Sequence, residues 1–381
     1  MNTFWRSLKL IVGLTLVFGQ LADVMDARGY TYYISLPGNN KIVWPSKNIR
    51  YRVANVSFPP GSPQRTALIK VLGRWNETPG DFTYLTPIWD LGSVGVNNGE
   101  SEIWFTTDPV GAVHWGQIKW NGSIAEWRES DVAFSMIPWP DDPTKSWAIN
   151  SENQSLMLVY GGPAEMWEQA AVHEVGHAIG LAHTSNTYNI MGDHRHYPHA
   201  NCGKVRTYVG EDAGNGSVFL YGPTGAIFSD DVGVSHWKYN SPSGEYTNHG
   251  PTQIFTSDGS TVVSSTGNFE GSIRRYNVEA GSTYKVQFTY ENNGLNAMTN
   301  VSVGYYISTN NCITTCDSRF SSHTRDFYRN TVYTMKKSLT IPSNLTAGQT
   351  YYLGVIVDYT GQYFEFSEIN NATYIPIKIV P

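Results

Sequence analysis

Between residues 173 and 183 the chain reads His-Glu-Val-Gly-His-Ala-Ile-Gly-Leu-Ala-His, and Asn189-Ile-Met-Gly192 follows closely. Few segments restrict a local fold so tightly. On a helix, residues four apart share a face with Cβ atoms roughly 5–6 Å apart, so His173 and His177 can direct two imidazoles at one ion. Glu174 lies beside the first of them and can stay off the metal, where a carboxylate can take a proton from water. Gly180 accepts φ > 0 without steric cost, so the helix can end there and the chain can bring in His183 as a third ligand. Three neutral nitrogens leave one tetrahedral position open, which separates catalytic from structural zinc. The competing reading is an amphipathic core helix with three incidental histidines. It leaves the base, the glycine and the methionine at fixed offsets unexplained.

Every fixed position of H-E-x-x-H-x-x-G-x-x-H is filled, and in this the chain resembles the metzincin zinc metallopeptidases, whose signature ends in a methionine turn. Met191 stands eight residues after His183, which is similar to the matrixins. Astacins and serralysins usually place a tyrosine two residues beyond that methionine; here the position is Asp193. The resemblance implies one catalytic Zn²⁺ held by His173, His177 and His183, with Glu174 as base, Gly180 at the turn and Met191 as an apolar floor. The matrixin latch, a cysteine ahead of the zinc motif, has no counterpart, since no cysteine precedes His173.

A chain of 381 residues predicts two domains. Its 36 glycines and 24 tyrosines favour turn-rich β structure, and a net charge of −6 gives no electrostatic reason to expect nucleic acid as a partner. Arg6 and Lys9 precede the apolar run 10–18, and small residues follow at Ala22 and Ala27, the layout of a secretory signal peptide. That run is too short to span a membrane, so a secreted, extracellular protein with no membrane span in its mature form is expected. Of three cysteines, Cys312 and Cys316 are close enough to form a small disulfide loop, which leaves Cys202 over.

Asn48–Val53 alternates like a strand, Ala67, Leu68, Val71, Leu72 and Trp75 form a helical stripe, and 102–105 and 131–135 read as strands, the second as an edge against which an extended substrate could add. The metal-bearing helix is expected to start near Pro163 and Ala164. His194, His196 and His199 read either as a second metal site or, more simply, as a polar surface loop. Acidic groups such as Asp141-Asp142 form no recognised calcium loop, so a structural Ca²⁺ has no support. The segment 211–222 resembles the closing helix of matrixin catalytic domains, which tends to end in Leu-Tyr-Gly. Beyond it, period-2 runs at 286–290, 301–307, 351–358 and 375–380 between Asn/Gly turns predict an antiparallel sandwich. Tyr290-Glu-Asn-Asn-Gly294, the 351–358 run and Glu368-Ile-Asn-Asn371 resemble the bacterial adhesion-related CARDB domain.

The expected fold class is therefore an α+β metzincin-type zinc peptidase domain followed by an all-β Ig-like sandwich domain. The division expected is a signal peptide over 1–27, the peptidase over 28–222, a linker with a possible first strand, anchored by Trp237 and Tyr239, over 223–270, and the sandwich over 271–381. Two functions follow from different classes. One is a secreted zinc endopeptidase acting on protein or peptide substrates; the other is a surface-binding or adhesion protein that uses its sandwich and keeps the zinc domain as scaffold. Retention of Glu174 beside three ligands favours the first, since a scaffold has no need of a base.

Overall fold

The computed structural model describes residues 20–25, 30–36, 40–108, 111–122, 124–138, 142–183, 190–192, 198–225, 230–238, 250–329 and 331–381. The leader expected over 1–27 lies outside this set except for Gln20–Met25, a strand that pairs antiparallel with Thr31–Leu36. Tyr239, Asp141, Asp193, His194 and His196 also lie outside it.

Strands dominate the described residues, which hold three α-helices. The expected α+β class is thus overturned. The helices are short for identifiable reasons, while segments expected as loop or linker are strand. α1 (Pro63–Asn76) starts at the Ser62 cap, whose Oγ accepts from Arg65 N, with Pro63 in the first turn where its missing N–H costs nothing. It buries the expected stripe of Ala67, Leu68, Val71, Leu72 and Trp75. α2 (Trp167–Ala178) carries the motif. It does not begin at Pro163, because Ala164–Met166 is drawn into a parallel pairing with Ser146–Ala148. α3 (Glu211–Tyr221) is bounded by Gly210 and Gly222, both at positive φ near 85°.

A mixed five-stranded sheet lies beside α1 and α2, in the order Ile88–Leu91, Arg52–Ala54, Glu102–Thr106, Ile124–Ser135, Ala112–Asn121. The first four are parallel and the last antiparallel. The edges are therefore Ile88–Leu91 and Ala112–Asn121, and the expected edge strand at 131–135 is an interior one, paired on both sides. Tyr51, Val53, Ile103, Val132 and Phe134 pack with Trp75, Trp167, Val172 and Val175 into one core.

In the second half a six-stranded sheet runs Ser265–Glu270, Ile273–Glu279, Ala372–Val380, Thr350–Val357, Met298–Ser308, Ser318–Phe327. The other sheet is built on Thr283–Asn292, flanked by Val332–Thr340 on one side and by Val232–Ser235 and Ile254–Phe255 on the other. Val286, Phe288, Tyr305, Val355 and Ile377 share a second core. Three of these strands fall within 223–270. The two halves interlock, for Trp237 and Ile273 belong to the first core. Their contact is also polar: Gln154 Nε2 donates to the Tyr374 hydroxyl (2.6 Å), which donates to Glu270 Oε2 (2.7 Å), and Tyr208 OH donates to Glu291 Oε1 (3.0 Å).

The cysteines pair differently from expectation. Cys202 is bonded to Cys312, and Cys316 is free and exposed. Folding rather than sequence proximity decides this. Asn201 Nδ2 donates to Ile313 O (3.0 Å), Ile313 N donates back to Asn201 Oδ1 (2.8 Å), and Cys202 N donates to Asn311 O (2.8 Å). These bonds lay the Pro198–Asn201/Lys204–Thr207 hairpin against the 309–313 loop.

Candidate metal centre

His173 and His177 lie on one face of α2, and His183 follows its end. Their Nε2 atoms form a nearly equilateral triangle: 3.0 Å from His173 to His183, 3.1 Å from His177 to His173, and 3.1 Å from His177 to His183. Among the described residues, this is the group of histidines, cysteines and carboxylates that could hold a metal.

The other ring nitrogens fix the tautomers. His173 Nδ1 lies 2.5 Å from Ile190 O, and His177 Nδ1 lies 2.8 Å from Leu181 O. A carbonyl only accepts, so in His173 and His177 Nδ1 carries the proton and Nε2 presents its lone pair inward, as metal ligation requires. Lone pairs about 3 Å apart repel unless a cation lies among them. The donor set fits zinc. Burial, then the neighbouring His183 and His173, hold His177 well below the usual imidazole range, which keeps it neutral for ligation.

The turn that delivers His183 is built by hydrogen bonds. An α-helix leaves its last four carbonyls unsatisfied. Here Val175 O accepts from Tyr84 OH (2.9 Å), Gly176 O from Ile179 N (3.3 Å), His177 O from Gly180 N (2.9 Å), and Ala178 O from Trp44 Nε1 (2.7 Å). Ile179 O accepts from Tyr221 OH (2.9 Å). Gly180 has φ +106°, and a Cβ there would lie 2.5 Å from Ile42 O, so glycine is required twice over.

Met191 is buried and seats against α2 at Gly176: a Cβ there would lie 2.4 Å from Met191 Sδ and 2.7 Å from Trp75 Cζ2. Glu174 is buried on α2 beside His173. Across from His177, the His114 ring of the edge strand lies 5.8 Å away, its Nε2 2.9 Å from Ser130 Oγ, and burial depresses its pKa to about 3. Tyr33 OH approaches His177 Nδ1 at 3.3 Å. Neither was legible beforehand, because both reach the site through strand pairing. Gly176 carried a faint signal: glycine inside a helix is unfavourable unless something occupies its place. His199, read as part of a surface loop or second metal site, is instead buried against Tyr208, and burial lowers its pKa to about 4.

No family model matches the chain. Over 123 residues it is 29% identical to metalloendoproteinase 2-MMP of Arabidopsis thaliana, a stretch that covers 32% of this chain and 30% of that relative's length. Among solved structures, a crystal structure of the CARDB domain of a Pyrococcus furiosus protein, in complex with di-metal ions, aligns with TM-score 0.24 and 13% identity over 41% of this chain and 95% of that one. The solution structure of the same domain aligns with TM-score 0.22 and 18% identity, over 27% and 85%. Over about a third of its length, then, the chain is similar to a metalloendopeptidase, and it brings together three histidines able to hold a metal ion.

Proposed function

We propose that the protein is a zinc-dependent endopeptidase. The observation that carries this reading is the triangle of three Nε2 atoms with Glu174 beside it on the same helix. When bound, zinc supplies Lewis acidity, polarising a carbonyl and lowering the pKa of water to about 7. His173, His177 and His183 would hold it. Glu174 would accept the proton of the attacking water and return it to the leaving amine, while Trp75, Met191 and Trp167 belong to the apolar core packed with α2. The similarity to a plant metalloendoproteinase supports a protein or peptide substrate. Export is part of the proposal; the leader-like N-terminus and the Cys202–Cys312 bond, which suits an oxidising compartment, support it. No helix among the described residues is long and apolar enough to cross a membrane.

The test is casein hydrolysis by the full chain before and after chelation. Activity is expected to vanish with chelator and to return on addition of zinc. A zinc-loaded, folded and inert protein would contradict the proposal.

A further inference from the structure

His177 differs from His173 in how its ring is held. The acceptor of its Nδ1–H, Leu181 O, lies four residues on, in the turn that leaves α2, so this bond fixes the ring no better than the turn itself is fixed. His173 is tied instead to Ile190 O, seventeen residues away.

The strand Thr31–Leu36 holds that turn from outside. It pairs antiparallel with Leu181–Ala182, Tyr32 opposite Leu181 and Thr31 opposite Ala182, and Tyr33 N donates to Gly180 O (2.9 Å). Successive side chains of a strand point to opposite faces. Tyr32 packs on Phe219, with ring centroids 4.8 Å apart, while Tyr33 turns to the metal site, its hydroxyl 3.3 Å from His177 Nδ1 and its ring 6.0 Å from the imidazole. Tyr33 is itself confined. Its ring meets Trp127 edge-on at 6.0 Å, and its carbonyl accepts from Ile42 N (3.2 Å). Trp127 is buried in a cluster with Ile42 and Ala125, so tightly that a Cβ on Gly116 would lie 2.3 Å from its Cζ3. Packing therefore sets where the hydroxyl stands.

Because Leu181 O can only accept, His177 Nδ1 is the donor, and the Tyr33 oxygen is a second acceptor for one shared N–H. A partner at the far nitrogen of a ligating imidazole orients the ring and raises the basicity of the ligating one, and its loss costs about 10–100-fold in metal affinity or activity. We infer that Tyr33 is a positioning residue for the metal centre: its hydroxyl holds His177 so that Nε2 stays aimed at the point shared with His173 and His183. The inference rests on the reading above that these histidines hold zinc. Tyr33 meets His177 at Nδ1, behind the ligating atom, and is not itself a ligand.

The experiment compares the full chain with Tyr33→Phe and with Tyr32→Phe, a control on the same strand. Zinc affinity is read by competition with a chromophoric chelator, the cobalt-loaded proteins by visible absorption, and the metal-free proteins by thermal unfolding. Tyr33→Phe is expected to fold without metal, to bind zinc about tenfold more weakly, to shift the cobalt bands, and to lower kcat about tenfold at unchanged KM. Tyr32→Phe should match the parent throughout. The inference is overturned, with the zinc reading intact, if the parent binds zinc and Tyr33→Phe equals it in affinity and cobalt spectrum. It is overturned likewise if Tyr32→Phe loses as much, or if Tyr33→Phe no longer folds without metal, since either result would make the contribution a general structural one. A parent that binds neither zinc nor cobalt would contradict the zinc reading and this inference together.

Discussion

At the scale of single residues, Gly176 shows how a motif depends on positions that its pattern leaves open. The sequence placed His173, His177, His183, Glu174, Gly180 and Met191 by offset, and the structure brings the three imidazoles to one point. Nothing in those offsets marked Gly176, whose missing Cβ admits Met191 and Trp75. Gly176→Ala gains up to about 1 kcal/mol of helix propensity. It also drives a methyl into a filled space, at a cost of about 1–3 kcal/mol. The expected net result is lower stability and weaker zinc retention. Thermal unfolding with metal analysis checks this, and trimming Met191 to Ala in the same chain should recover only part of the loss, since Trp75 still blocks. Equal stability of Gly176→Ala and the parent would show that the contact is slack. His114 and Tyr33 were illegible for another reason: they lie 63 and 144 residues from His177 in sequence, and only strand pairing brings them near.

At the scale of elements, helix ends were harder to read than helix existence. The stripe from Ala67 to Trp75 correctly marked α1, and Gly180 correctly marked where the chain turns after α2. The start of α2 was misread because proline in a first turn is compatible with a helix, whereas the pairing of Ala164–Met166 with Ser146–Ala148 is a tertiary event. The edge strand was misassigned for a related reason: alternation identifies strands but not their order in a sheet. Side chains from distant segments also cap α2. Tyr221→Phe removes only the hydroxyl that reaches Ile179 O, leaving a buried carbonyl unpaired. A loss of about 1–3 kcal/mol is expected, read by denaturant unfolding. Zinc affinity should fall as well, because the turn into His183 loosens. Unchanged stability would mean that solvent reaches that carbonyl.

At the scale of the whole molecule, strand-rich composition was a truer guide than the motif. The zinc signature implied an α+β first half, yet strands prevail throughout the described residues, with helices confined to α1, α2 and α3. Cysteine pairing was misjudged because a short loop is easy to close; the hydrogen bonds around Asn201 and Ile313 instead bring Cys202 to Cys312, 110 residues apart. Cys202→Ser is expected to lower stability by about 2–5 kcal/mol. Unreduced peptide mapping of the parent should find Cys202 joined to Cys312, and a Cys312–Cys316 linkage would refute that pairing.

In the proposed mechanism three histidines hold a catalytic zinc and Glu174 moves the proton without ligating. Its most direct test measures zinc content and peptide turnover together in the full-length parent, Glu174→Ala and His177→Ala. Glu174→Ala is expected to keep its zinc and lose turnover by several orders of magnitude, while His177→Ala is expected to lose both. An active Glu174→Ala protein, or a fully zinc-loaded His177→Ala protein, would contradict it.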